Sequence, residues 1–89
     1  MTITVEFVAH FRLATGVQKV SMDLDNISIK DLIDQLGLKY GSKFLDEILE
    51  NGGIMEDILF LKNGTLINDV EEKIRDGDTL SLIPPAFGG

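Results

Sequence analysis

The sequence predicts an α+β domain in which helix covers one face of a mixed β-sheet. Apolar residues alternate from Ile3 onward, helical spacing follows Ser28, and a strand-like apolar run over residues 79–83 closes the pattern. In a chain of 89 residues with 44% hydrophobic side chains, this order of elements indicates one domain with a single small core.

In the first stretch, residues 3–12, every second residue is apolar, starting from Ile3. This period is typical of a half-buried strand. Gly16 interrupts the alternation, which resumes over residues 20–24, so we predict two strands joined by a turn as a hairpin. The apolar side of the first strand comprises Ile3, Val5, Phe7, Ala9 and Phe11.

Two helices are predicted in the middle of the chain. Ser28 followed by Asp31 is typical of a capping box, and helical spacing then continues until Gly37, where we expect the helix to end. A second, shorter helix begins at Ser42 and is predicted to stop at the glycine pair of residues 52–53.

The second half of the chain reads as strands and turns. Asn63-Gly64 suits a tight primed turn, which predicts a hairpin between residues 58–61 and 65–67. Residues 70–74 have an ambiguous pattern that is compatible with one helical turn, and residues 76–78 form the last turn before the closing strand. The predicted core comprises Phe7, Phe11, Leu32, Ile33, Leu36, Leu80 and Leu82.

Composition limits the partners. The formal net charge of −7 disfavours nucleic acid, whose phosphates need lysine and arginine, and favours a protein with a basic surface. There is neither a signal-like start nor a long apolar span, so we expect a cytoplasmic protein that does not bind membranes. The chain has no cysteine, and therefore no disulfide or thiolate site.

Catalysis by this chain alone is not expected. Phosphate-loop glycines and spaced histidine or cysteine ligands are missing, and the single histidine, His10, is predicted to be exposed on the polar side of the first strand. A run of acidic residues lacks the spacing of a calcium loop, so we interpret it as a solvated face and predict no metal site. These residues are Asp69, Glu71, Glu72, Asp76 and Asp78.

The ending of the sequence is its most distinctive feature. We divide the chain into a domain of residues 1–83 and an extended tail of residues 84–89. Pro84-Pro85 stiffens the base of the tail, whereas Gly88-Gly89 leaves its tip slim, and six extended residues reach at most about 20 Å. We expect the carboxylate of Gly89 to be the functional group, activated by a nucleotide-binding partner.

Several segments resemble one protein family. Residues 5–12 with Gly16, the hairpin of residues 62–66, and the stretch from residue 76 to the final Gly-Gly are similar to the small, MoaD-like sulfur-carrying subunit of molybdopterin synthase. The resemblance implies a ubiquitin-like β-grasp fold and two partners, an ATP-dependent adenylating enzyme and the large catalytic subunit of the synthase.

The resemblance also implies a chemistry. The C-terminal glycine is adenylated by the partner and converted to a thiocarboxylate, which donates sulfur to the dithiolene of molybdopterin. Gly89 would carry the thiocarboxylate, and Gly88 would provide clearance. The chain would bind no cofactor itself, since ATP is used by the activating enzyme.

Three alternatives remain. A sulfur carrier for thiamin has a similar ending, and a ubiquitin-like modifier would begin with the same adenylate but join Gly89 to a lysine. A β-grasp adaptor that only binds would have no use for a free Gly-Gly end.

A docking surface is predicted beside the tail. Val8 and Ile83 are apolar where alternation places polar residues, and Leu66 follows the Asn63-Gly64 turn. Adjacent first and last strands would bring Val8 and Ile83 together on the open face of the sheet. We predict that both partners bind a hydrophobic centre with Glu6 at its polar rim. The centre comprises Val8, Leu66, Ile83 and Phe87.

Overall fold

A computed structural model of the protein describes residues 1–85. Within these residues the strands and helices follow one another in an order that confirms the α+β class. They are β1 (Ile3–Phe7), α1 (His10–Thr15), β2 (Lys19–Met22), β3 (Ile27–Ser28), α2 (Ile29–Tyr40), α3 (Ser42–Ile48), β4 (Leu49–Glu50), β5 (Gly53–Ile54), β6 (Leu59–Lys62), β7 (Thr65–Ile67), β8 (Lys73–Ile74) and β9 (Thr79–Ile83).

The central sheet of the described chain has five strands in the order β2-β1-β9-β6-β7. β1 and β9 are parallel neighbours, whereas the pairs β1·β2, β6·β9 and β6·β7 are antiparallel. The sheet is therefore mixed. Its parallel pair, β1 and β9, brings together strands from the two ends of the described chain. With the helices packed over one face, this is the ubiquitin-like β-grasp fold.

The first strand is shorter than alternation predicts. β1 ends at Phe7, and α1 begins at His10, so the residues beyond Phe7 do not continue the strand. Ala9, expected to face the core, is exposed and adopts φ 53° and ψ −127°. Phe11 is buried as expected, but from a helix. β1 and β2 do pair antiparallel, although α1 rather than a simple turn connects them.

Helix α2 begins where the sequence predicts. Ser28 Oγ accepts a hydrogen bond of 3.1 Å from the backbone N–H of Asp31, which caps the helix. The predicted end at Gly37 is wrong, because α2 continues to Tyr40 and Gly41 follows it with φ 80°. Gly37 is instead buried in the helix interior against α3.

Helix α3 begins at Ser42, as predicted, but ends before the glycine pair. The chain turns back through Asn51-Gly52, with φ 54° and 82°, so that Leu49 pairs with Ile54. Asn51-Gly52 is therefore the turn of a second Asn-Gly hairpin, although the sequence pattern here was interpreted as the end of a helix.

The later turns form where the sequence predicts them, whereas one later segment has a different structure. Asn63 and Gly64 adopt φ 53° and 85° and join β6 to β7, and Gly77 turns the chain into β9 with φ 90°. Residues 70–74, whose pattern is ambiguous in the sequence, contain no helix. Residues 73–74 form β8, which pairs antiparallel with β3.

The predicted core is confirmed, since all seven of its residues are buried. They belong to a larger cluster that also includes Phe44 and Ile48 from α3. The rings of Phe7 and Phe44 meet edge to face at 6.0 Å between centroids, joining the sheet to α3. No helix within residues 1–85 is long and apolar enough to cross a membrane.

Candidate functional site

The base of the tail leaves from the middle of the sheet. Leu82 on β9 is level with Phe7 on one side and with Phe60 on the other, and all three side chains are buried. Pro84, directly after β9, is also buried, and Pro85 is half-buried. A strand paired on both sides and a proline held against the domain provide a firm origin for the segment that follows. Phe87, Gly88 and Gly89 lie outside the described residues.

The open face of the sheet lies opposite the helices. Glu6 pairs with Ser81, Ser81 with Leu61, and Leu61 with Leu66, so one row of same-face side chains crosses four strands. Ser81 Oγ donates a hydrogen bond of 3.0 Å to Glu6 Oε1. The row is therefore polar on β1 and β9 and apolar on β6 and β7.

The predicted docking residues that the structure describes fall on or beside this face. Val8 follows β1, its N–H donates to Leu82 O over 3.3 Å, and its side chain is 40% exposed. Since Phe7 is level with Leu82, the residues that follow them, Val8 and Ile83, occupy neighbouring positions. Leu66 is 49% exposed on the outermost strand β7, and Ile83 is half-buried.

Two apolar residues of this face were missed by the sequence analysis. Leu59 is 46% exposed and is level with Ile83, and the half-buried Leu61 is level with Leu66. The signal was present, because four consecutive apolar residues over positions 58–61 in a strand must place two side chains on each face. The open-face patch is therefore defined as Val8, Leu59, Leu61, Leu66 and Ile83.

Three of the five acidic residues, Asp69, Glu71 and Asp76, are exposed, as a solvated face predicts, and all except Glu71 accept hydrogen bonds through their side chains within the described residues. Asp69 Oδ1 accepts from the N–H of Glu71, Glu72 Oε2 lies 2.6 Å from Lys62 Nζ, and Asp76 Oδ1 lies 2.6 Å from the Thr2 nitrogen. The Glu72–Lys62 pair joins the loop before β8 to β6, and the Asp76–Thr2 bond joins the turn before β9 to the start of the chain. Within residues 1–85, no group of three or more histidine, cysteine or acidic side chains has an arrangement that could hold a metal ion.

Asp78 is the most constrained of these carboxylates. It accepts hydrogen bonds of 2.8 Å from the N–H of Arg75 and from Asn63 Nδ2, while Asn63 Oδ1 accepts from the N–H of Thr79. The Arg75 N–H first, and then the Asn63 amide, lower the pKa of Asp78. The bonds join the β6–β7 turn to the start of β9, the strand that leads to the tail.

His10 is not on a strand, contrary to the prediction. It is the first residue of α1, and its Nε2 lies 3.4 Å from Glu47 Oε2 on α3. Its imidazole also packs edge to face on Phe11, with centroids 5.2 Å apart. His10 therefore belongs to the contact between two helices, on the side of the sheet away from the open face.

A family model matches nearly the whole of this architecture. The model of the ThiS family matches residues 5–89, from the first strand to the final glycine. The chain belongs to the ThiS family. This places it among the ubiquitin-like sulfur carriers of the ThiS and MoaD kind. No curated protein matches the chain.

Several proteins with solved structures share the fold. SAMP1 from Haloferax volcanii is 24% identical, with a TM-score of 0.87 and 100% of both chains covered. A putative molybdopterin converting factor subunit 1 from Pyrococcus furiosus is 27% identical, with a TM-score of 0.77 over 97% of this chain and 99% of that one. A chain of the Amycolatopsis orientalis BexX/CysO complex is 22% identical, with a TM-score of 0.77 over 98% of this chain and 99% of that one.

Proposed function

We propose that this ThiS-family protein carries sulfur as a thiocarboxylate on Gly89 and donates it in molybdopterin biosynthesis. The observation that carries the proposal is the family match, which extends through the Gly-Gly ending to residue 89. The Pyrococcus furiosus protein, whose name assigns it to molybdopterin conversion, supports this choice of pathway.

The chemistry follows from the reactivity of a carboxylate. The Gly89 carboxylate attacks the α-phosphorus of ATP on an adenylating partner, forming an acyl adenylate and releasing pyrophosphate. A sulfide equivalent then attacks the acyl carbon and AMP leaves, so that sulfur replaces one oxygen. Gly88, without a side chain, lets this end enter a narrow site in either partner.

The fold supports such a hand-over role. The tail leaves a strand that is paired on both sides, while the open-face patch lies around its origin. We propose that Val8, Leu66, Ile83 and Phe87, together with Leu59 and Leu61, form the surface for the adenylating enzyme and for the large synthase subunit. One shared surface would require the carrier to leave the first partner before it binds the second.

A second candidate is a protein modifier that is joined through Gly89 to lysines. It is favoured by the likeness to SAMP1, a small archaeal modifier protein. A carrier for a different sulfur acceptor, such as the thiamin precursor, is compatible with the same family. Both alternatives share the adenylation step. In the modifier a lysine amine finally replaces the activating group at the Gly89 carbonyl, whereas the other carrier forms the same thiocarboxylate and differs only in the molecule that accepts the sulfur.

The test is intact-mass analysis after incubation with the adenylating enzyme, ATP and a sulfur donor. We expect one oxygen of the full chain to be replaced by sulfur, and no such change when Gly89 is deleted. Loss of that sulfur on addition of the large synthase subunit and its pterin substrate supports the molybdopterin role. Lysine-linked conjugates that form instead would support the modifier, and thiocarboxylate formation by the Gly89 deletion would refute the assignment.

A further inference from the structure

A groove of about 670 Å³ lies on the helix-covered side of the domain, away from the centre of the open face. It runs between α2, the β4–β5 hairpin and the edge of the sheet formed by β6 and β7. Its inner surface is apolar and mixes branched side chains with the adaptable Met55. The residues that form this surface include Ile33, Ile54, Met55, Ile58, Phe60 and Ile67.

The rim of the groove is acidic. Asp34 from α2, Glu56 after the hairpin, and Asp69 and Glu71 after β7 all line it, and Lys30 is the one basic residue among the described residues that do so. Four carboxylates around a recess with apolar walls concentrate a negative potential there. Such a recess attracts a ligand that combines positive charge with an apolar side chain.

The backbone around the groove is accessible. Gly52 and Gly53 form part of its wall, and a Cβ at either position would have no atom within 4 Å. β7, which contributes Ile67, has a strand partner only on its β6 side within the described sheet. An extended chain can approach closely at such a wall and pair with a free strand edge.

We propose that the groove binds an extended segment of a partner protein in which a bulky apolar residue is flanked by lysines or arginines. The apolar side chain occupies the recess, and the flanking cations contact Asp34, Glu56 and Glu71. Charge argues against two other occupants. A second copy of this chain brings a net charge of −7, and nucleic acid brings phosphates, so both are repelled by the rim.

The position of Leu59 relates this groove to the open-face patch. Leu59 borders the groove and is also level with Ile83, the last residue of β9. A partner that contacts the patch at Leu59 is therefore next to the mouth of the groove. The groove provides a second contact, reached around the β6–β7 edge, that depends on none of the chemistry at Gly89.

The test is an NMR titration of the ¹⁵N-labelled full chain with a nine-residue synthetic peptide that has a central leucine and two lysines on each side. We expect amide shifts at Ile54, Met55 and Ile67 that saturate and that weaken as salt is added. The same peptide with glutamates in place of the lysines should not bind. Binding of both peptides alike would overturn the proposal, as would shifts confined to the open-face patch.

A matched pair of triple variants isolates the rim. Asp34→Asn/Glu56→Gln/Glu71→Gln removes three carboxylates whose side chains make no hydrogen bond or ion pair with the described residues. This variant should bind the lysine peptide with about tenfold lower affinity. Asp23→Asn/Asp46→Asn/Glu50→Gln changes the net charge equally, outside the groove, and should bind as the unmodified chain does. An equal loss of peptide affinity in both triple variants, or no loss in the first, would refute a local site.

Discussion

Gly37 on α2 lies so close to Leu45 on α3 that a Cβ atom at residue 37 would be 2.7 Å from Leu45 Cδ2 and 3.0 Å from Leu45 Cγ. Real Cβ atoms essentially never come as close as 2.7 Å to another carbon, so a side chain at residue 37 would force Leu45 to shift at the place where the two helices pack. The contact explains why a glycine stands in the middle of a helix, where it is otherwise unfavourable.

The first prediction is that Gly37→Ala destabilises the domain. Alanine favours the helix by about 1 kcal/mol, but overpacking costs about 1–3 kcal/mol, so we expect a net loss in the free energy of unfolding. Leu45→Ala should remove the clash. In that background Gly37→Ala should become stabilising, and the change of sign is measured by urea denaturation of all four proteins. Destabilisation of the same size in both backgrounds would contradict this packing.

The second prediction concerns Ala9, between β1 and α1. Its φ of 53° with ψ −127° is a conformation that glycine adopts readily and alanine does not. Relief of strain of about 1–3 kcal/mol exceeds the entropic cost of a glycine, about 0.5–1 kcal/mol. Ala9→Gly should therefore raise the free energy of unfolding by about 1 kcal/mol. The control Ala14→Gly, inside α1, should lower it, and thermal melts that show a loss for both would contradict the Ala9 geometry.

The elements that sequence predicts well are those whose signals are local. Ser28 caps α2 through its own side chain, and Asn63-Gly64 forms a tight turn by its own backbone preference. Alternation also identifies β9, because one side of that strand is buried along its whole length. In these cases a few neighbouring residues determine the structure.

The errors arise where distant contacts decide. Gly37 is read as a helix end because nothing nearby in sequence shows that Leu45 packs against it. Phe11 continues the alternation of β1 by spacing alone, yet it reaches the core from a helix. For the candidate site, Val8 and Ile83 were found as exceptions to alternation, and Leu66 was found from its place after the Asn63-Gly64 turn. Leu59 and Leu61 were not, because a continuous apolar run does not reveal which residues face outward.

The third prediction is a pH dependence centred on Asp78. Hydrogen bonds from the Arg75 N–H and from Asn63 lower its pKa in the folded state, so the ionised form stabilises the fold. This contribution is present above the unfolded pKa of about 3.9 and is lost as pH falls through the folded pKa. Asp78→Ala should cost about 1 kcal/mol at pH 7. The difference from the unmodified protein should shrink below about pH 4.

Asp46 provides the control for this experiment. It is exposed on α3, and its side chain makes no hydrogen bond or ion pair with the described residues. Asp46→Ala should leave the free energy of unfolding nearly unchanged across the same pH range. If the difference in the free energy of unfolding between Asp78→Ala and the unmodified protein stayed constant down to pH 2, the charge on Asp78 would not be the source of the stabilisation.

The last prediction tests the open-face patch as the surface for the adenylating partner. Val8 and Leu66 are 40% and 49% exposed, so aspartate at either position meets water and the fold should be retained. In a complex the same charges would be buried against apolar surface, which is costly. Val8→Asp/Leu66→Asp should therefore weaken binding to the adenylating partner by about 2 kcal/mol or more, measured by calorimetric titration.

The control for this variant is Leu13→Asp/Leu38→Asp. It changes two leucines on α1 and α2 whose side chains are even more exposed, at 76% and 82%. It adds the same charge and should bind normally, since the helices lie on the other side of the sheet. Unchanged affinity of the first variant, or equal loss in both, would remove the open face from the interface.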